Sequence, residues 1–149
     1  MLLEINDELT FENFTQLREH TLEMIEEARN HEENRDKQTT IIFGPITGNS
    51  KDETDRNFRH LVHHSYNLAF SKKWTTLATH TLLNHAGILV TKLGITGYPH
   101  IILDELTLPL IRSGCFDAIH FRNRFRESIG ATREHNTACE AGIRRIYVP

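Results

Sequence analysis

The residues best placed to do chemistry sit in two loops. One is Ser128-Ile129-Gly130-Ala131-Thr132-Arg133-Glu134, which leads into a helical stretch. A serine at a helix start can donate to a phosphate. Gly130 lets the backbone approach a ligand, and the first N–H groups of the helix attract an anion. Glu134 would point back into the same cleft, although a carboxylate near a helix start is also favoured by the helix dipole alone. Arg122, Arg124 and Arg126 alternate just ahead of Ser128. Guanidinium groups clamp phosphates bidentately, so one or two of the three, Arg124 among them, are expected to face the anion, with a solvated loop as the alternative.

The second loop, Gly44-Pro45-Ile46-Thr47-Gly48, follows a β-branched run. It is neither a Walker loop nor Gly-x-Gly-x-x-Gly, and its five residues are read as backbone that borders a ligand, with a plain tight turn as the alternative. His80 follows a candidate strand and is in position to reach the same cleft, although a lone histidine also fits a structural role. The remaining histidines do not form a metal set. His60, His63 and His64 share one helix without a fourth ligand, His31-Glu32-Glu33 lacks a second His, and His135 and Cys139 have no Cys-x-x-Cys partner. No metal and no cofactor are expected. There is also no Gly-x-Ser-x-Gly elbow, and Cys115 has no activating neighbour, so serine and cysteine hydrolases are set aside.

The elements that must position these loops follow from periodicity. Phe11, Phe14, Leu17, Thr21, Met24, Ile25 and Ala28 fall at 3-and-4 spacing and predict a first helix, with Thr10 as its cap. Its apolar face would pack on the body or on a second subunit. His31–Lys37 reads as a linker. Thr39–Phe43 predicts a buried strand, 52–70 a helix, 73–79 a weaker strand, 117–121 another strand, 132–142 a helix ending at a glycine, and 143–148 a last strand. The stretch 81–92 is ambiguous, and Pro109 interrupts the helical spacing of 101–111. Strand–loop–helix repetition predicts an open, doubly wound, flavodoxin- or Rossmann-like α/β fold. Its parallel sheet has four to five strands, flanking helices and an extra N-terminal helix. Ligands of such sheets lie beyond the carboxyl ends of the strands, where strand order reverses, and here those ends are the loops 44–50 and 122–130.

The chain has 149 residues, 38% apolar and 25% charged, in the range of a globular domain. No apolar stretch reaches the ~18 residues of a membrane span, and the acidic start Met1–Asp7 does not resemble a signal peptide. Two cysteines make no disulfide framework, so a cytoplasmic setting is expected. The net charge of −3 hides an asymmetry. Residues 1–37 hold 11 acidic and 4 basic side chains, whereas the rest hold 9 and 13. The expected organisation is an N-terminal helical arm, 1–38, on a mildly basic domain, 39–149. Such a domain suits a small anionic ligand rather than a membrane or a nucleic-acid polymer.

Four ordered pieces over 39–148 resemble the nucleoside 2-deoxyribosyltransferase-like superfamily, in particular its small uncharacterised bacterial and phage members. They are Ile42-Phe43-Gly44-Pro45-Ile46-Thr47-Gly48, Thr79-His80-Thr81-Leu82-Leu83, Cys115-Phe116-Asp117-Ala118-Ile119, and Ser128-x-Gly130-Ala131 through Glu134, Ala138 and Gly142-Ile143. The resemblance implies an N-glycosidase or deoxyribosyltransferase acting on a nucleoside 5′-monophosphate. Glu134 would be the nucleophile at C1′, Ser128 the phosphate contact and Gly44–Gly48 the border of the sugar. Where the family carries an acid, this chain has Pro109, and Asp104 is the carboxylate that would have to replace it. Without that acid the same scaffold reads as a nucleotide-binding or sensing protein with no turnover. The resemblance also implies a homodimer or higher homo-oligomer.

Overall fold

In the computed structural model, which describes residues 1–149, five parallel strands form one sheet flanked by helices, a flavodoxin- or Rossmann-like α/β fold. The strands are β1 (Leu2–Leu3), β2 (Gln38–Phe43), β3 (Trp74–Leu77), β4 (Ala118–Arg122) and β5 (Arg144–Val148), in the spatial order β1-β3-β2-β4-β5. The helices are α1 (Phe14–Asn30), α2 (Lys51–Phe70), α3 (Thr79–Lys92), the short α4 (His100–Ile102) and α5 (Leu108–Arg112), and α6 (Ile129–Glu140). Successive strand residues point to opposite faces, yet Thr39–Phe43 and Ala118–Phe121 are buried without a break. Both faces of the central strands are therefore covered, as parallel sheets require.

The chain builds β3 on one side of β2 and then crosses to place β4 on the other. That reversal opens a crevice beyond the carboxyl ends of β2 and β4. Asp117 pins the two strands at their opposite ends: its Oδ2 accepts from the Thr39 N–H at 2.8 Å and from the Thr39 hydroxyl at 3.0 Å.

The N-terminal segment is no detached arm. Leu2–Leu3 pairs with Thr76–Leu77 as an edge strand too short to carry a periodic signal. Leu3, Ile5, Phe14, Leu17, Ile25 and Ala28 belong to the same 25-residue core as the sheet. Most of the apolar stripe of α1 is thus buried inside its own chain. Asn13, not Thr10, caps α1, its side chain accepting from the Gln16 N–H. The linker 31–37 holds a 3-10 turn at Glu32–Asn34.

Pro109 does not end the helical stretch; it reshapes it. Proline supplies no N–H to the carbonyl four residues back, here Glu105, and its ring crowds that carbonyl. The chain responds with a π turn over Leu103–Thr107, in which the Leu108 N–H reaches the Leu103 carbonyl. The Glu105 carbonyl accepts instead from Arg18 Nη1 on α1, at 2.6 Å. Single π turns are enriched at functional sites, and this one carries two residues into the crevice described below.

If α1 is integral, Leu17→Ala, at a fully buried position, should lower unfolding free energy by about 2–5 kcal/mol in denaturant titration. A loss under about 0.5 kcal/mol would mark α1 as peripheral.

Candidate functional site

A cavity of about 490 Å³ fills the crevice, within the range of small-molecule sites. Gly44, Ile46 and Thr47 reach it from the end of β2, and Glu127 to Ala131 from the end of β4. Phe58 of α2, Leu83 and Asn84 of α3, and Ile102, Leu103 and Thr107 of the π-turn segment form its other walls. Tyr98 stands at the rim.

Glu134 lies in this cavity with 7% of its surface exposed. The sequence spacing starts the helix at Thr132, which would put Glu134 in the first turn. In the structure α6 begins at Ile129, and Ser128 is its cap, its hydroxyl accepting from the Ala131 N–H at 3.2 Å. Glu134 therefore sits in the second turn and caps nothing, so the dipole explanation of this residue fails on position. Ala131 and Ala138, both buried, seat the helix closely and carry Glu134 inward.

Burial pushes the Glu134 carboxyl up to about 8, the Thr107 hydroxyl and the more distant Arg133 offsetting this only in part. The Thr107 oxygen is itself buried and makes no hydrogen bond within the protein. The group is thus a largely protonated acid at neutral pH, an arrangement concentrated at functional sites. The Tyr98 hydroxyl is drawn up as well, by burial and then by the Glu134 charge, while a contact with the Gly130 N–H pulls it the other way. A Cβ on Gly130 would lie 3.0 Å from that phenol oxygen. Gly130 thus makes room for Tyr98, which was no candidate in the sequence because a lone tyrosine in a Gly/Pro loop carries no motif.

Other expected site residues lie differently. Asp104 does not line the cavity; Arg133 holds its Oδ1 at 2.6 Å on the outer surface. Their side chains are 52% and 37% exposed, so this pair is worth at most about 1 kcal/mol. His80 is also outside. It stacks on Tyr66, meets Phe58 edge-on and faces Glu4 at 4.0 Å. Its neighbours Leu83 and Asn84, one helical turn on, line the cavity instead.

Pro45 and Gly48 face a neighbouring groove, as does Arg124, which pairs with Glu127 at 2.9 Å. Arg126 lies over the Phe125 ring, 4.7 Å from its centre. The glycines of the first loop make room for the protein's own side chains. A Cβ on Gly44 would meet Arg122 Cβ at 2.9 Å, and one on Gly48 would meet Glu53 at 2.5 Å. No three His, Cys, Asp or Glu side chains converge as a metal cage would require.

Comparison with known proteins finds no matching family model, no matching curated protein and no matching solved structure. The cavity chemistry therefore carries the functional reading.

The raised carboxyl of Glu134 fixes a stability prediction. Its neutral form stabilises the fold below the ordinary glutamate range, about 4.5, and that contribution is lost as pH rises through about 8. Glu134→Gln, neutral at every pH, should come close to wild type near pH 5 and melt roughly 10–20 °C higher at pH 9. Equal melting temperatures at both pH values would contradict the burial.

Proposed function

We propose that the protein is an N-glycosidase or deoxyribosyltransferase that cleaves the base–sugar bond of a nucleoside 5′-monophosphate. One observation carries this reading: Glu134, buried and unpaired by any cation at hydrogen-bonding distance, lines a half-open cavity beside a serine-capped helix start. The resemblance of Ser128-x-Gly130-Ala131 through Glu134 to the deoxyribosyltransferase-like superfamily supports it. In this scheme the Glu134 carboxylate attacks C1′, the base departs with its bonding electrons, and a glycosyl-enzyme ester forms. Water or a second base then displaces Glu134 at C1′. The phosphate would sit against Ser128 and the Ile129 N–H at the start of α6. The base and sugar would lie between Phe58, Leu83 and Leu103.

The departing base needs a proton, and Asp104, held by Arg133 outside the cavity, is poorly placed to give one. Tyr98 is the cavity phenol whose charge is coupled to that of Glu134 and takes over as the candidate donor. That same displacement of Asp104 favours a second reading, a nucleotide-binding or sensing protein without turnover, in which neutral Glu134 donates a hydrogen bond to its ligand.

Nucleoside 5′-monophosphates incubated with the protein and resolved by chromatography separate the two. Catalysis predicts released base, and Glu134→Gln should reduce release by roughly three orders of magnitude or more while binding survives. The sensing reading predicts binding with no release. The pH profile assigns the role of Glu134. A nucleophile must be ionised, so kcat/KM should rise with pH through about 8 and level off above it. A rate that falls through the same pH would make Glu134 a proton donor and end the nucleophile assignment.

A further inference from the structure

Beyond the loop Gly44–Gly48, on the side away from Glu134, lies a second groove of about 500 Å³ with no hydrophobic residue in its lining. It is bounded by that loop, the first turns of α2 and the residues after β4. Its cations are Arg56, Arg122 and Arg124, and its acids are Glu53 and Glu127. Both acids are already engaged. Glu127 pairs with Arg124 at 2.9 Å, and Glu53 Oε2 accepts from the Asn49 N–H at 3.0 Å. Neither Arg56 nor Arg122 forms an ion pair with any carboxylate.

Arg122 is the unusual member. Its stem passes against Gly44, where a Cβ would lie 2.9 Å away. Nη2 donates to Nδ1 of His60 at 2.9 Å, whereas Nε and Nη1 are closed to solvent and find no partner in the protein. A half-buried guanidinium with no counter-ion is costly, and an anion in the groove beside it would supply the missing charge. Two imidazoles register the uncompensated field. His60 and His64 both lie below the ordinary histidine range, through burial first and the Arg122 charge next.

We propose that this groove is a second anion site, which binds a phosphate or pyrophosphate group between Arg56 and Arg122. Guanidinium forks match the oxygens of a phosphoryl group. The mainly polar lining offers little to an organic body but suits an all-oxygen ligand. The groove does not depend on Glu134 being catalytic. Thr47 and Glu127 line both cavities, so the occupant is either a free oxyanion or the outer phosphate of a nucleotide that spans the two.

The test is calorimetric titration of the full chain with sodium pyrophosphate in ~150 mM salt, where exposed pairings are largely screened, while NMR follows the His60 ring. Binding should raise the His60 pKa. Arg56→Gln and Arg122→Gln should each weaken binding at least tenfold, while Arg112→Gln, an exposed cation outside both cavities, binds as wild type. Arg56 is exposed, so its variant keeps the test valid if Arg122→Gln fails to fold. A nucleoside diphosphate that binds at least tenfold more tightly than pyrophosphate identifies a spanning nucleotide, and equal affinities identify a free oxyanion; both support the site. No binding, or binding lost in Ser128→Ala but kept in Arg56→Gln, overturns it. Base release by wild type would be unaffected by that failure, so the glycosidase reading stands or falls separately.

Discussion

A carboxyl group kept from water is the constraint on which the site depends, because nothing in the protein neutralises it in place. Glu134 has neutral hydroxyl groups, those of Thr107 and Tyr98, for neighbours, and Arg133, the preceding residue, turns outward to Asp104. Water is excluded by a chain of local causes. Ser128 starts α6 early enough to put Glu134 one turn deep, and Ala131 and Ala138 let the helix lie close to the core. Pro109 forces the π turn that brings Leu103 and Thr107 to the same wall. Arg18, from α1, satisfies the Glu105 carbonyl that this turn leaves open. The acidic N-terminal segment is thereby tied to the chemistry: it supplies an edge strand, a share of the core and a hydrogen bond that holds the wall of the cavity.

The crevice has two compartments with opposite characters. The Glu134 cavity mixes apolar walls with hydroxyl groups and holds a neutral acid; its neighbour is mainly polar and carries uncompensated positive charge. Loop Gly44–Gly48 divides them, and its outer glycines accommodate Arg122 and Glu53. A single loop thus positions backbone for one compartment and leaves space for the guanidinium of the other. The division separates the carboxyl from the arginines, which is why Glu134 keeps its proton near neutrality instead of being ionised by a nearby cation.

Much of this was legible in the sequence. The β-branched run at 39–43, the short strand at 117–121 and the 3-and-4 spacing of α1 and α2 identified central strands of the sheet and two helices, and the reversal of strand order pointed to the crevice between loops 44–50 and 122–130. The misses have physical reasons. Leu2–Leu3 is too short for a period, and α3 mixes apolar and polar residues without a clean stripe. Ser128 as the cap moved the start of α6 by three residues, which changed Glu134 from a first-turn carboxylate to a buried one. The arginines were placed beside Ser128 by adjacency. Arg124 instead takes a left-handed backbone at φ 69° and folds onto Glu127, so the guanidinium groups leave the serine. Tyr98 and Thr107 arrive from distant segments, and no local pattern marks them.

The account rests on the state of one carboxyl group, and that state can be read directly. With glutamate labelled by ¹³C at the carboxyl carbon, the Glu134 resonance, assigned by its loss in Glu134→Gln, should titrate with a midpoint near 8 between pH 4 and 10. A midpoint in the ordinary glutamate range, near 4.5, would mean the carboxylate is solvated or paired, and would contradict the buried acid from which the proposed chemistry follows.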